Sequence, residues 1–307
     1  MKLRRLTDDG PEVPEVCLGT SPLGGMPEAY GYDVTADRAI ATVRRAIELG
    51  LTFIDTSNEY GDGESERRIG RALHDADVSA GSRVLASKAD PVRGARLTGR
   101  RVLESFQESS ERLGTDFLDV YYLHDPERFE FSELTSPGGA LDALVDLKHS
   151  GKVGLVGVAG GSLDVLSRFL DTGRLDVVLC HNQFTLLDQS ADHLINACLS
   201  RGVAFVNAAP YGSGILAKGD SASPRYQYRV PSPQIREAVR WLRDVCADYG
   251  VPLAALALQF STRDPRISST VVGISSPQRV EELGRNLSHP IPSGLWEAVT
   301  RRFESGD

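Results

Sequence analysis

The feature that most constrains this chain is a repeated beat: short apolar runs, each followed by a segment with helical spacing, at intervals of roughly 25 to 40 residues. The runs fall at 15–19, 51–55, 83–87, 117–123, 153–158, 175–179, 202–206 and 269–274. Helices are expected at 35–49, 65–73, 98–113, 139–149, 162–171, 190–200, 234–248, 253–262 and 277–286, with a terminal helix near 294–304. In the first of these, Ile40, Val43 and Ile47 share one face and Gly50 stops the helix. In the third, Thr98 caps the start, Val102, Phe106 and Leu113 form the apolar face, and Gly114 ends it. The run 117–123 is almost continuously apolar, as a strand buried on both faces should be.

Strands alternating with helices imply a parallel sheet, either doubly wound and open or closed into a barrel. Eight runs favour a (β/α)8 TIM barrel. So does the stretch after the first run, Thr20 to Gly25, which carries no Gly-x-Gly-x-x-Gly turn and reads as a strand-to-loop exit. Residues 2–14 are expected to form a capping hairpin or arm, with long loops at the carboxyl face of the barrel. No Pro/Ser-rich linker interrupts the pattern, so one domain is expected over 1–307.

Composition narrows the partners. With 41% apolar and 25% charged residues the chain reads as a globular protein with ample core. A net charge of −8 disfavours nucleic acid, which needs clustered Lys/Arg. The pairs Arg4-Arg5, Arg44-Arg45, Arg67-Arg68 and Arg100-Arg101 lie beside acids and read as solvated helix faces. Met1 to Gly10 is charged and lacks an apolar signal region, and no apolar run nears the roughly 20 residues of a membrane helix. The cysteines at 17, 180, 198 and 246 form no Cys-x-x-Cys pair, so buried thiols in a reducing compartment, the cytoplasm, are expected. A small-molecule substrate, no membrane partner, and a monomer or small homo-oligomer complete the expectation.

Barrel chemistry lies at the carboxyl ends of the strands. Asp55, Lys88 and His124 close three successive runs, and Tyr60 follows Asp55 by five residues in a loop bounded by Gly61 and Gly63. Taken singly, each has an ordinary explanation: a loop tyrosine, a solvated lysine, a capping aspartate. His124-Asp125 has no second His or Cys at ligand spacing, so no metal is expected. Together they describe a site. A phenol of pKa about 10 is a poor donor at neutral pH, and a neighbouring ammonium stabilises its phenolate. Asp55 can hold Lys88 charged and in place, and a neutral His124 can orient a carbonyl. The set suits reduction of a carbonyl or its reverse, with hydride from a cofactor and the proton through Tyr60.

Several motifs together resemble those of the aldo-keto reductases: Phe-Ile-Asp-Thr-Ser-x-x-Tyr-Gly at 53–61, Ala-Ser-Lys at 86–88, Leu-Asp-Val-Tyr-Tyr-Leu-His at 118–124, Gly-Lys-Val at 151–153, Asn182-Gln183, Gly-Ser-Gly at 212–214, and the 271–282 segment. The resemblance spans nearly the whole chain. It implies a (β/α)8 barrel using NADP or NAD, with Tyr60 as general acid/base, Lys88 and Asp55 tuning it, and His124 orienting substrate. It also implies that Gly19, Thr20, Asp55 and Gln183 lie near the nicotinamide and its ribose. Gly212, Ser213, Gly214 and Leu216 match the loop over the pyrophosphate, and Ser275, Gln278, Arg279 and Glu282 match the adenosine end. Five positions depart from the family pattern. Ala159-Gly160 replace the Ser-Asn that holds the carboxamide, and Ala208 replaces the aromatic that stacks on nicotinamide, a contact Tyr211 could supply. Gly273 stands where many NADP-specific members place lysine, and Leu283 where an adenine-side Asn is usual. Loss of that lysine makes NAD or dual use more plausible than in a typical member.

The wording at 61–70, 122–128 and 185–190 resembles a branch whose members oxidise free aldoses at C1, or pyridoxal. Polar and aromatic residues on the loops fit a sugar: Tyr30, Tyr32, Asp125, Glu127 and Phe129, with Tyr226 and Tyr228 farther along. The alternatives are a carbonyl reductase with another pocket, or a non-catalytic relative that holds cofactor and binds a partner protein.

Overall fold

The computed structural model describes residues 1–75, 80–218, 226–227 and 229–305; Tyr228, one of the loop aromatics, lies outside the described residues. Two short strands come first, β1 (Leu3–Arg5) and β2 (Glu12–Pro14), paired antiparallel as the expected hairpin. Eight parallel strands then close into a barrel: β3 (Val16–Gly19), β4 (Phe53–Asp55), β5 (Val84–Ala89), β6 (Leu118–His124), β7 (Val153–Gly160), β8 (Val177–His181), β9 (Ala204–Ala208) and β10 (Ser269–Gly273). Each pairs with its sequence neighbour, and β10 returns to pair with β3, Gly273 opposite Gly19.

The helices form where the apolar spacing places them, including Ala36–Glu48, Gly99–Leu113 and Leu253–Thr262. Thr98 accepts from the Arg101 amide as the cap, and Gly114 closes that helix in the left-handed region at φ 69°. Short turns such as Phe131–Leu134 and Ile215–Lys218 were not foreseen, because four residues carry no periodic signal.

Alternation along the strands divides the core in two. Leu18, Ile54, Leu85, Tyr121 and Leu123 face the helices in the larger apolar cluster. Cys17, Phe53, Ala86, Tyr122, Leu179 and Val206 fill the barrel interior. Leu6 and Val13 of the hairpin belong to the interior cluster and close its amino-terminal end. The Arg4 guanidinium fixes the hairpin there by donating to the carbonyls of Thr262, Asp264 and Ile267. One interior position must be glycine: a Cβ on Gly157 would collide with the Val177 carbonyl and lie 3.0 Å from the Tyr122 ring. All four cysteines are buried and free. Among the described residues no helix is long and apolar enough to cross a membrane.

Candidate active site

Period two also builds the site. Asp55 lies two residues beyond Phe53, Lys88 two beyond Ala86, and His124 two beyond Tyr122, so each is the last inward side chain of its strand. Lys88 is 2% exposed and Asp55 3%, a depth at which an ammonium must be paired. Lys88 Nζ donates to Asp55 Oδ1 at 2.6 Å and to the Thr56 carbonyl at 2.6 Å. Lys88 Nζ also lies 5.0 Å from the centre of the Tyr60 ring, which meets the His124 ring edge-on at 5.7 Å. The loop carrying Tyr60 turns at Gly61, φ 62°, where a Cβ would run into the Gly24 backbone.

Burial, then the Asp55 carboxylate, hold the pKa of the Tyr60 phenol well above the ordinary value. The Lys88 ammonium is paired with Asp55 at hydrogen-bond distance and lies 5.0 Å from the centre of the ring. Tyr60 is therefore a protonated donor in this state.

Behind His124 stands a residue that sequence reasoning missed. Asp90 is fully buried, and its Oδ1 lies 2.7 Å from His124 Nδ1. Its Oδ2 accepts from the Ser57 hydroxyl at 2.5 Å and from the Glu59 amide at 3.0 Å. Burial opposes the Asp90 charge, but His124 and these donors outweigh it and lower the pKa. Burial likewise opposes the imidazolium, and Asp90 outweighs it, so His124 is raised. On the cavity side, Asp125 Oδ1 is 3.9 Å from His124 Nε2 and 3.8 Å from His181 Nε2. Burial works against the Asp125 charge, but His181, His124 and Arg128 bring its pKa down to about 2. Asp125 adopts left-handed backbone, φ 42°, at the point where β6 ends.

A cavity of about 1170 Å³ opens above this layer, larger than the 300–1,000 Å³ typical of a site for one drug-sized ligand. Gly19, Thr20, Tyr30, Tyr32, Asp55, Tyr60, Lys88, His124 and Asp125 line it. Tyr211, Ser213, Gly214, Gly273, Ser275, Arg279 and Glu282 line it as well. Asp55 Oδ2 is buried with no hydrogen-bond partner, and Arg279, in the first turn of the helix Pro277–Ser288, makes no ion pair among the described residues. A cavity of this volume, with an unmatched acceptor and a cation in its wall, fits a dinucleotide.

Other expected residues lie elsewhere. Gln183 donates to the Gly161 carbonyl and accepts from Ser190, so its amide is tied into its own loop. Leu216 is fully buried in a satellite core, Gly212 lies beneath the Tyr226 ring, and Gln278 does not line the cavity. Glu127 Oε1 accepts from the amides of Gly161 and Ser162 at the start of the helix Leu163–Leu170, occupying space that a Cβ on Gly160 would fill. Phe129 packs on the outer core, so neither Glu127 nor Phe129 lines the cavity. Tyr211 lies beside Asn286, Glu282 and Arg279. Two carboxylate–histidine groups, Glu59/Asp90/His124 and Asp125/Glu127/His181, bring potential ligand atoms close. The Asp90 oxygens and Glu127 Oε1 already serve the donors named above.

A family model described as the aldo/keto reductase family matches residues 15–301. The chain is 34% identical to an L-galactose dehydrogenase from Arabidopsis thaliana over 92% of its own length and 86% of that protein's. It is 28% identical to a D-threo-aldose 1-dehydrogenase from a Pseudomonas species (94% and 93% covered) and 28% identical to a pyridoxal 4-dehydrogenase from Microbacterium luteolum (96% and 96%). The holo form of an aldo-keto reductase from Bacillus halodurans superposes with a TM-score of 0.80 at 22% identity, covering 98% of this chain and 96% of that one.

Proposed function

The chain belongs to the aldo/keto reductase family and is an NAD(P)-dependent oxidoreductase; from that premise we propose that it is an aldose 1-dehydrogenase, oxidising a sugar hemiacetal at C1 to a lactone. The observation that carries the reading is the convergence of Tyr60, Lys88, Asp55 and His124 on one cavity of about 1170 Å³, large enough for cofactor and sugar. The identity of 34% with an L-galactose dehydrogenase supports the substrate class.

When bound, the nicotinamide cofactor supplies or accepts the hydride at the substrate carbon. The chain handles the rest. Tyr60 moves the proton at the substrate oxygen, and Lys88, held by Asp55 and the Thr56 carbonyl, keeps a positive charge beside the phenol. Asp55 Oδ2 is free to accept from a cofactor hydroxyl, while Ser213 and Gly214 would hold the diphosphate and Arg279 the adenosine phosphate. Ala159 and Ala208 leave the nicotinamide end of the cavity uncluttered. Burial of the thiols fits a reducing cytoplasm.

A second reading, reduction of an aldehyde or ketone, is favoured by the protonated state of Tyr60. Absorbance at 340 nm separates the two. An aldose panel offered with NAD and with NADP should generate reduced cofactor. No signal with sugars, but consumption of reduced cofactor with added aldehydes or ketones, would select the reductase.

Cofactor preference has its own test. Gly273 is exposed at the end of β10, and a Cβ there would meet only Pro22 Cγ, at 3.3 Å. Gly273→Lys should therefore fit and add a charge-assisted contact to a 2′-phosphate, shifting the ratio of kcat/KM values toward NADP about tenfold. An unchanged ratio would place the adenosine phosphate elsewhere.

A further inference from the structure

We infer that Asp90 is a positioning residue that fixes His124 with its proton on Nδ1, leaving Nε2 to accept a hydrogen bond from a hydroxyl beside the reacting carbon. That acceptor selects polyhydroxy substrates over simple alcohols and aldehydes. The inference rests on the aldose reading and deepens it by naming how a sugar is distinguished.

The donors around Asp90 leave little freedom. The Glu59 amide and the Ser57 hydroxyl both donate to Oδ2, and the third partner is His124 Nδ1, 2.7 Å from Oδ1. An ionised carboxylate only accepts, so Nδ1 carries the hydrogen and the neutral ring presents a lone pair at Nε2. A lone pair cannot hold a carbonyl oxygen, but it can hold a hydroxyl. On the same wall the gaps from Asp125 Oδ1 to His124 Nε2 and to His181 Nε2, 3.9 and 3.8 Å, are too long for hydrogen bonds. His124 Nε2 and Asp125 Oδ1 are both acceptors, so each can take the proton of its own ligand hydroxyl. The row of acceptor, carboxylate and second imidazole therefore suits adjacent hydroxyls of a sugar.

The charged groups facing His124 are Asp90 and Lys88 from β5, Tyr60 and Glu59 from the loop after β4, and Asp125 at the end of β6, with His181 across Asp125. The carboxylates raise the pKa of the ring, and its acceptor exists only in the neutral form. Selection for the extra hydroxyl should thus strengthen as pH rises through the His124 titration and fade below it.

The test compares an aldose with its 2-deoxy counterpart, on wild type and on Asp90→Asn. In the variant the fixed Glu59 amide draws the Asn oxygen, which turns its NH2 toward Nδ1 and forces the proton onto Nε2. Wild type should prefer the full sugar about tenfold at alkaline pH. D90N should lose that preference, the KM for the full sugar rising toward that for the deoxy sugar. Equal discrimination in both proteins would overturn the inference. A second readout needs no turnover: 15N spectra of the cofactor-free wild type at the alkaline end of the titration should show His124 as the Nδ1–H tautomer. An Nε2–H tautomer there would overturn the inference, and that spectrum decides the matter if D90N does not fold. Absence of any aldose oxidation by wild type would instead sink the functional reading, leaving the tautomer result to stand by itself.

Discussion

Phenylalanine at position 60 is expected to lower turnover by about 10²–10⁴-fold, the usual contribution of a positioned acid/base group. The substitution removes one hydroxyl and little else. The ring would keep its edge contact with His124 and its place near Lys88, and the Gly61 turn that carries it would be untouched. Cofactor affinity, followed by quenching of protein fluorescence, should therefore stay close to wild type while the rate collapses. A rate within a few-fold of wild type would remove Tyr60 from the chemistry.

The second large effect is expected at Lys88. Lys88→Met leaves Asp55 buried with its charge unmatched, and it strips the Thr56 carbonyl of its donor. Breaking a buried pair from one side costs about 3–5 kcal/mol, a fall in Tm of about 10 °C on the usual conversion for larger domains. Activity should vanish as well. The double variant Lys88→Met, Asp55→Asn separates the two consequences. Removing both charges should restore much of the Tm, because no isolated charge remains, yet activity should stay lost. Recovery of activity would show that the pair serves only stability. A single variant as stable as wild type would mean that Asp55 is solvated in a way its 3% exposure does not allow.

The barrel was legible in the sequence because eight buried strands must each be apolar, and nothing else in the chain imitates that pattern. The strand ends were not. The expected runs 153–158, 175–179 and 202–206 stop about two residues before β7, β8 and β9 do. The omitted residues, Ala159-Gly160, Cys180-His181 and Asn207-Ala208, are partly small or polar and do not read as a buried strand. In a barrel those are the positions that face the ligand. His181 was lost for this reason, although it sits two residues beyond the inward Leu179. Asp90 was lost for a related one. It lies two beyond Lys88, but with Pro91 behind it the stretch reads as the start of a loop. Continuing the alternation past each apolar run would have found both.

Glu127 and Phe129 were misread in the opposite way. Beside His124 in sequence, they looked like substrate contacts. Asp125 turns the chain through left-handed backbone, so Glu127 reaches a neighbouring helix start and Phe129 the outer core. The direction of a chain leaving a strand depends on one dihedral angle, and composition does not encode it.

The hairpin has a consequence for traffic. With Leu6 and Val13 corking the far end of the barrel and Arg4 bolting them in place, whatever reaches the reacting layer must come and go at the carboxyl face. Arrival and departure then compete for that face, and the molecule lying deepest has to wait for the one in front of it to leave.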